Sequence, residues 1–401
     1  MLKQPPTLQL STASEAARAV GRGVGGTAQV TSRKATQVGS APTSGSKTKG
    51  SGPQTPRSIY SYLDMHLVGQ ERAKRAVAIA AYNHLKRCTL PPAQKRLLRK
   101  SNVLLCGPTG SGKTHLVKLL AQCLQVPLSI ADATEYTEAG YYGKDLEQML
   151  AELLFAAHQS VARAQHGIVF IDEIDKIARR SQSYKTGGGT RDIGGEGVQQ
   201  SLLKLLEGRQ VLVPTSLSPQ PGKADQVLLD TTDVLFIAAG TFSDLSSSGT
   251  AEHRPDGSGR IGFGRDSSQA HTTRPLRTED LVSYGMLAEL LGRLPVRVQL
   301  QPLSEDELCQ VLTEPPDALV REYSQLLALD GVELTLLPSA LRELARAARI
   351  QNCGARSLRS LMETVLEDLM FEGPERSGES IQLDDEYIKL RLSQRRLDLI
   401  H

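Results

Sequence analysis

The 401-residue chain contains no tryptophan, six phenylalanines and ten tyrosines. With so few aromatic rings, a platform on which successive bases stack is not expected. No apolar run approaches the ~20 residues needed to cross a bilayer, so no membrane partner is expected. Its five cysteines (Cys88, Cys106, Cys123, Cys309 and Cys353) are odd in number and widely spaced. They form neither a disulfide framework nor a C-x-x-C zinc site, and they suit a reducing compartment. Acids are scarce at one end. Residues 1–57 hold eight Lys or Arg and a single acid, Glu15, a local +7 against +3 for the whole chain. The remainder is therefore mildly acidic and offers no nucleic-acid-binding face.

Residues 1–57 also lack any aromatic residue, and 28 of them are Gly, Pro, Ser or Thr. Too little apolar surface is present to offset the entropy of ordering, which predicts a disordered basic tail or linker. The segment has no apolar core of a secretory signal. Its Arg-bearing, Ser-rich, acid-poor composition is shared with mitochondrial transit peptides, but its glycines and prolines break an amphipathic helix.

From Ile59 onward apolar periodicity sets in. Gln70 to Lys86 reads as a helix with Ala73, Val77, Ala80 and Ala81 on one face. Strands are expected at Asn102–Cys106, Leu128–Ala131, Gly167–Ile171 and Asp233–Ala239. Helices are expected at Gly112–Leu124, Lys144–Ala164 and Gly197–Glu207. Such alternation predicts an α/β fold with a parallel sheet flanked by helices. After Leu303 the pattern becomes mostly helical: a capping box at Ser304–Glu307, then amphipathic stretches at 317–329, 339–350 and 355–370. Ile381–Leu392 alternates like a strand. The expected organisation is a tail (1–57), a large domain (58–302) and a small, mostly helical lid domain (303–401).

Gly107-Pro108-Thr109-Gly110-Ser111-Gly112-Lys113-Thr114 fits G-x-x-x-x-G-K-[ST] between an apolar strand and a helix. Its backbone amides and the helix N-terminus suit phosphates. Lys113 would reach the β- and γ-phosphates of ATP, and the Thr114 hydroxyl would take a Mg²⁺ position. Fifty-nine residues after Lys113, the apolar strand 168–171 ends in Asp172-Glu173. This places two acids at the sheet edge beside the phosphate loop. Asp172 is expected to hold Mg²⁺, and Glu173 to orient and deprotonate the attacking water.

These motifs resemble those of AAA+ ATPases, and further segments resemble the ClpX branch, the unfoldase partner of the ClpP peptidase. The segments are Ala131–Thr134 with Thr137–Tyr141, Gly195–Gln200 running into Leu202–Gly208, Gly292–Val296, and Gly354–Arg359. The resemblance spans about residues 58–373. It implies a homo-hexameric ring that uses ATP and Mg²⁺ to unfold protein substrates and thread them into a ClpP-type peptidase. It also implies that Leu67-Val68-Gly69-Gln70 lines the adenine pocket, with Val68 as a nucleotide contact. Arg293 would be an arginine finger acting on the neighbouring subunit's nucleotide, and Arg356 the sensor arginine of the lid. Gly140-Tyr141-Tyr142-Gly143 resembles the substrate-gripping pore loop, with Tyr142 bulkier than the family's aliphatic residue; residues 184–195 resemble the second pore loop. Ile261-Gly262-Phe263, an apolar tripeptide within the polar stretch 240–278, resembles the peptidase-docking loop.

Three departures stand out. The family's zinc-binding domain is not evident, so no zinc is expected. The family's basic loop at the pore entrance is reduced to Lys223 near Pro221-Gly222. The strand at 233–239 leads to Thr241 as a candidate phosphate sensor. The chain carries no protease motif such as G-x-S-x-G, so peptide hydrolysis is expected of a partner. The alternative is a stand-alone remodelling chaperone with no peptidase. Bacterial cytoplasm is the expected location, with the mitochondrial matrix as the other reading.

Overall fold

The computed structural model describes residues 55–95, 97–136, 146–178, 195–215, 226–243, 245, 276–351 and 353–398. Tyr141, Tyr142, most of the second pore-loop segment and Ile261-Gly262-Phe263 lie outside the described residues, as do the tail up to residue 54 and Lys223.

The strands are β1 (Val103–Cys106), β2 (Leu128–Asp132), β3 (Ile168–Asp172), β4 (Gln210–Pro214), β5 (Gln226–Asp230), β6 (Leu235–Gly240), β7 (Val296–Gln299), β8 (Glu333–Leu336) and β9 (Ser380–Leu383). The helices are α1 (Pro56–His66), α2 (Glu71–Cys88), α3 (Pro92–Lys95), α4 (Lys113–Leu124), α5 (Glu147–Ala156), α6 (Val161–Ala164), α7 (Gly195–Glu207), α8 (Thr278–Tyr284), α9 (Ala288–Arg293), α10 (Glu305–Thr313), α11 (Leu319–Leu329), α12 (Pro338–Ile350), α13 (Arg356–Phe371) and α14 (Asp385–Asp398).

Five strands form one parallel sheet in the order β2-β3-β6-β1-β7. β1, β6 and all but the last residue of β3 are buried along their whole length. That is why they read as unbroken apolar runs rather than as alternating ones. Successive side chains still point to opposite faces. Leu104, Val169, Ile171, Phe236 and Ala238 enter one core layer. Val103, Leu105, Ile168, Phe170, Leu235 and Ile237 enter the other, against α1, α2 and α4. A third core joins α10 to α14 with the parallel pair β8–β9 and makes the small helical domain.

Two readings of the sequence are corrected. Residues 144–164 are not one helix: α5 ends at Ala156, and His158 and Gln159 take left-handed φ values of 55° and 60° before α6 begins. Nor is 381–392 a strand. β9 stops at Leu383, and the Asp384 carboxylate accepts from the Tyr387 amide, which starts α14. The β4–β5 hairpin, β7 and β8 are elements that the sequence reading passed over.

Candidate nucleotide-binding site

The C-terminal ends of β1, β3 and β6 converge at one edge of the sheet, where ligands bind in open α/β sheets. β1 runs into the phosphate loop, β3 into Asp172-Glu173 and β6 into Gly240-Thr241. The Gly107 amide donates to the Gly240 carbonyl (3.2 Å), tying the first and last of these ends together. A cavity of about 410 Å³ opens between them, lined by Lys113, Thr114, Asp172, Glu173, Thr241 and Arg356 among others.

Gly112 opens α4 with φ 94°, a left-handed conformation that glycine adopts without strain. The turn aims the amides of the helix N-terminus into the cavity. The Lys113 ammonium curls back onto the Gly107 and Pro108 carbonyls at 2.7 and 3.0 Å, oxygens that stand where phosphate oxygens can compete. Burial lowers its pKa from the ordinary lysine value; Asp172 and Asp175 oppose that, and Arg356 adds to it. An incoming polyphosphate would restore the charged form.

The Thr114 hydroxyl donates to Asp172 Oδ2 at 2.9 Å, and Asp172 Oδ1 accepts from the Glu173 amide at 3.0 Å. Two hard oxygen donors side by side fit a magnesium ion, which takes few protein ligands and keeps its waters. Glu173 is exposed and has a left-handed backbone (φ 55°, ψ 32°) that a non-glycine residue adopts only under strain. The turn points it out of the sheet edge into the cavity.

Arg356 is the first residue of α13. A cation in the first turn opposes the helix dipole, a local conflict that an anion in the cavity would relieve. The lid also touches the phosphate loop through its main chain. The Ala355 amide donates to the Gly110 carbonyl at 3.2 Å. Both Gly110 (φ 75°) and Gly354 (φ 55°) are left-handed, and a Cβ on Gly354 would stand 2.8 Å from the Gly110 oxygen.

One group at this edge, Asp175, was not singled out by the sequence. Asp175 is buried, and it accepts from the Thr241 amide (3.2 Å), the Thr241 hydroxyl (2.8 Å) and the Phe242 amide (3.4 Å). Its signal was a third acid, three residues past Asp172. Gln70, also buried, donates to Gln301 O (2.7 Å) and accepts from Gln301 N (3.0 Å), and its amide reaches Ser111 O at 3.5 Å. Val68 itself does not line the cavity; its neighbours Leu67 and Gln70 reach the phosphate loop.

Arg293 is not at this site. It closes α9, on the side where β1, β6 and β7 begin, and its guanidinium bonds Glu207 at 2.7 and 3.1 Å. Both partners are about half exposed, so the pair is weak. A larger hollow of about 710 Å³ lies there, lined by Arg87, Lys95, Lys100, Asn102 and Arg293 among others. The phosphate loop and the acids of β3 are at the smaller of these two cavities, so the chemistry does not lie in the larger one. Beside that hollow, Cys88, His166 and Asp233 bring ligand atoms within 4.8 Å of one another. Asp233 is already paired with Arg87 and Lys95, which compete with any cation.

Sheet order, phosphate loop and acidic strand end together define an ATPase of the AAA class. Residues 98–297 match the AAA domain (Cdc48 subfamily), and residues 303–380 match the C-terminal, D2-small domain of ClpB protein. ClpX 2 of Wolinella succinogenes, an ATP-dependent Clp protease ATP-binding subunit, is 46% identical over 319 residues, covering 80% of this chain and 78% of that protein. The ClpX subunits of Treponema denticola and Borrelia duttonii are each 43% identical, over 333 and 331 residues; these cover 81% and 80% of this chain, and 78% and 75% of theirs. The chain belongs to the ClpX family of Clp protease ATP-binding subunits.

Proposed function

We propose that the chain is an ATP-driven protein unfoldase and translocase that works as a homo-hexameric ring and feeds a ClpP-type peptidase. The observation that carries the reading is the joint lining of one cavity by Lys113, Thr114, Asp172, Glu173 and Arg356.

In this reading Lys113 leaves the loop carbonyls for the β- and γ-phosphates, and the adenine sits beyond the phosphate cavity, against Val68, Gln70 and their neighbours. Thr114 and Asp172 would hold Mg²⁺, whose charge would offset that developing on the transferred phosphoryl group. Glu173 takes the proton of the attacking water. Thr241, fixed by Asp175, faces the phosphate from the end of β6. Arg356 adds positive charge from the lid, and Arg293 adds it from the neighbouring subunit. The exposed, weakly paired Arg293 at the edge away from its own phosphate loop supports a role in trans.

Tyr141 and Tyr142 grip the threaded chain, and Ile261-Gly262-Phe263 inserts into the peptidase; both assignments rest on the sequence. A reducing, bacterial cytoplasmic setting agrees with cysteines that are free, Cys106 and Cys123 within the core. Among the described residues no helix is long and apolar enough to cross a membrane. The deciding experiment is a pull-down with a ClpP-type peptidase in ATP, followed by degradation of a stable tagged substrate. Co-purification and ATP-dependent degradation support the reading. Unfolding without either leaves a stand-alone chaperone.

A further inference from the structure

We infer that Asn102 is the positioning residue for Arg293, and that it couples the finger a subunit presents to its neighbour to that subunit's own nucleotide site. The inference rests on the trans-acting role proposed for Arg293.

Asn102 immediately precedes β1 and is 1% exposed. Its Nδ2 donates to the Arg293 carbonyl at 3.0 Å, and its Oδ1 accepts from the Phe236 amide at 3.3 Å. Its own carbonyl accepts from the Val296 amide at 3.3 Å. One residue thus joins the starts of β1, β6 and β7 to the end of α9. Arg293 is the last residue of that helix, where carbonyls lack an intrahelical donor. The Asn102 amide supplies one from outside. A short side chain with one donor end and one acceptor end meets both demands, and only one orientation of the amide satisfies both.

Two of the strands that Asn102 joins, β1 and β6, lead to the nucleotide. β1 runs four residues to Gly107 and β6 runs six to Gly240, in register from Val103↔Ile237 to Cys106↔Gly240. Their far ends are bonded again through Gly107 N and Gly240 O. A pair of buried, hydrogen-bonded parallel strands shifts as a unit. A displacement at the phosphate loop is therefore delivered at Asn102, and from there to the backbone of Arg293. The guanidinium is free to leave Glu207, while its main chain is fixed to the core. The distance from the core to the neighbour's phosphate is then set by Asn102.

Mixed rings separate this role from simple stability. Lys113→Ala subunits donate a finger but bind no phosphate, and Arg293→Ala subunits bind nucleotide but donate no finger. Asn102→Ser placed in the finger donor should lower the ATPase rate of the mixture about tenfold or more, since a misplacement of ~1 Å can cost ~10²-fold. The KM for ATP should stay within about twofold. The same change placed in the Arg293→Ala subunit should add less than a twofold loss. Asn102→Asp, which keeps the volume and the Oδ1 acceptor but not the donor, should show the same asymmetry.

Equal losses in both placements, or none in the donor, overturn the inference. So does failure of both variants to assemble, because Asn102 then serves the fold alone. If Arg293→Ala rings by themselves hydrolyse ATP at the wild-type rate, it is the finger reading that has failed, and that control is read before Asn102 is introduced.

Discussion

Thr114 Oγ1 donates to Asp172 Oδ2 across 2.9 Å, joining residues 58 apart in sequence at the mouth of the nucleotide cavity. The bond holds two oxygens at the spacing that a shared magnesium ion needs. Thr114→Ala or Asp172→Asn should raise the magnesium concentration for half-maximal ATP hydrolysis by about tenfold or more, the loss typical when a metal's support is removed. A titration of activity against magnesium at fixed ATP measures it. An unchanged midpoint in both variants would remove these residues from the metal site.

Glu173→Gln should bind ATP normally and hydrolyse it about 10²–10⁴-fold more slowly, because the variant keeps the shape but loses the proton acceptor. Fluorescent-nucleotide binding and phosphate release report the two properties separately. Turnover near the wild-type rate would assign the base to another residue.

Arg293→Ala and Lys113→Ala rings should each be nearly inactive, with the finger worth about 10³-fold or more by analogy with other phosphoryl-transfer enzymes. Mixing the two subunits should recover part of the ATPase activity, since some interfaces then pair an intact finger with an intact phosphate loop. Absence of recovery, with mixed rings confirmed by mass, would place Arg293 in cis or outside the reaction.

Grip and docking should separate. Tyr141→Ala should keep ATPase activity and lose unfolding of a stable substrate. Phe263→Ala should unfold normally and fail in degradation, because a docking anchor contributes about 2–4 kcal/mol and a ring multiplies the loss through several loops. Collapse of ATPase activity or of ring assembly in Phe263→Ala would make the tripeptide a structural anchor and favour the stand-alone chaperone.

His84 gives the fold a pH dependence. It is buried on α2, with Cys88 Sγ 3.5 Å from Nε2. Burial, helped by Lys100, Arg87 and His166 and opposed by Asp233, lowers its pKa from 6.5 to about 4. The native state keeps the ring neutral while the unfolded chain takes up a proton below about pH 6.5. Stability from this group is therefore lost as pH falls from about 6.5 to 4, by up to ~3 kcal/mol. Denaturant unfolding at pH 7 and pH 4 should show a smaller drop for His84→Gln than for wild type. Equal drops would show that His84 does not set this dependence.

The sheet was legible where burial on both faces wrote continuous apolar runs, as in β1, β3 and β6. β7 was missed because Arg297 and Gln299 interrupt its apolar residues. Helix ends that depend on a left-handed pair, His158–Gln159, or on a single cap, Asp384, leave little trace in periodicity. The phosphate loop was legible because its geometry is local. Asp175 with Thr241, Gln70 with Gln301 and Asn102 with Arg293 act across 66, 231 and 191 residues, and only folding brings such partners together.

The contact between Gly110 and Ala355 turns the lid into a lever. Its pivot is a peptide-to-peptide bond at the phosphate loop, so the pivot contains no side chain that could bend or slip. Its arm is α13, whose 16 residues span ~24 Å. A tilt of about 10° at the pivot, where phosphates come and go, would carry the far end of that arm by ~4 Å over such a length. That far end is Phe371, an apolar ring 88% exposed. A sub-ångström adjustment around ATP would thus reach the protein surface as a movement the size of a side chain.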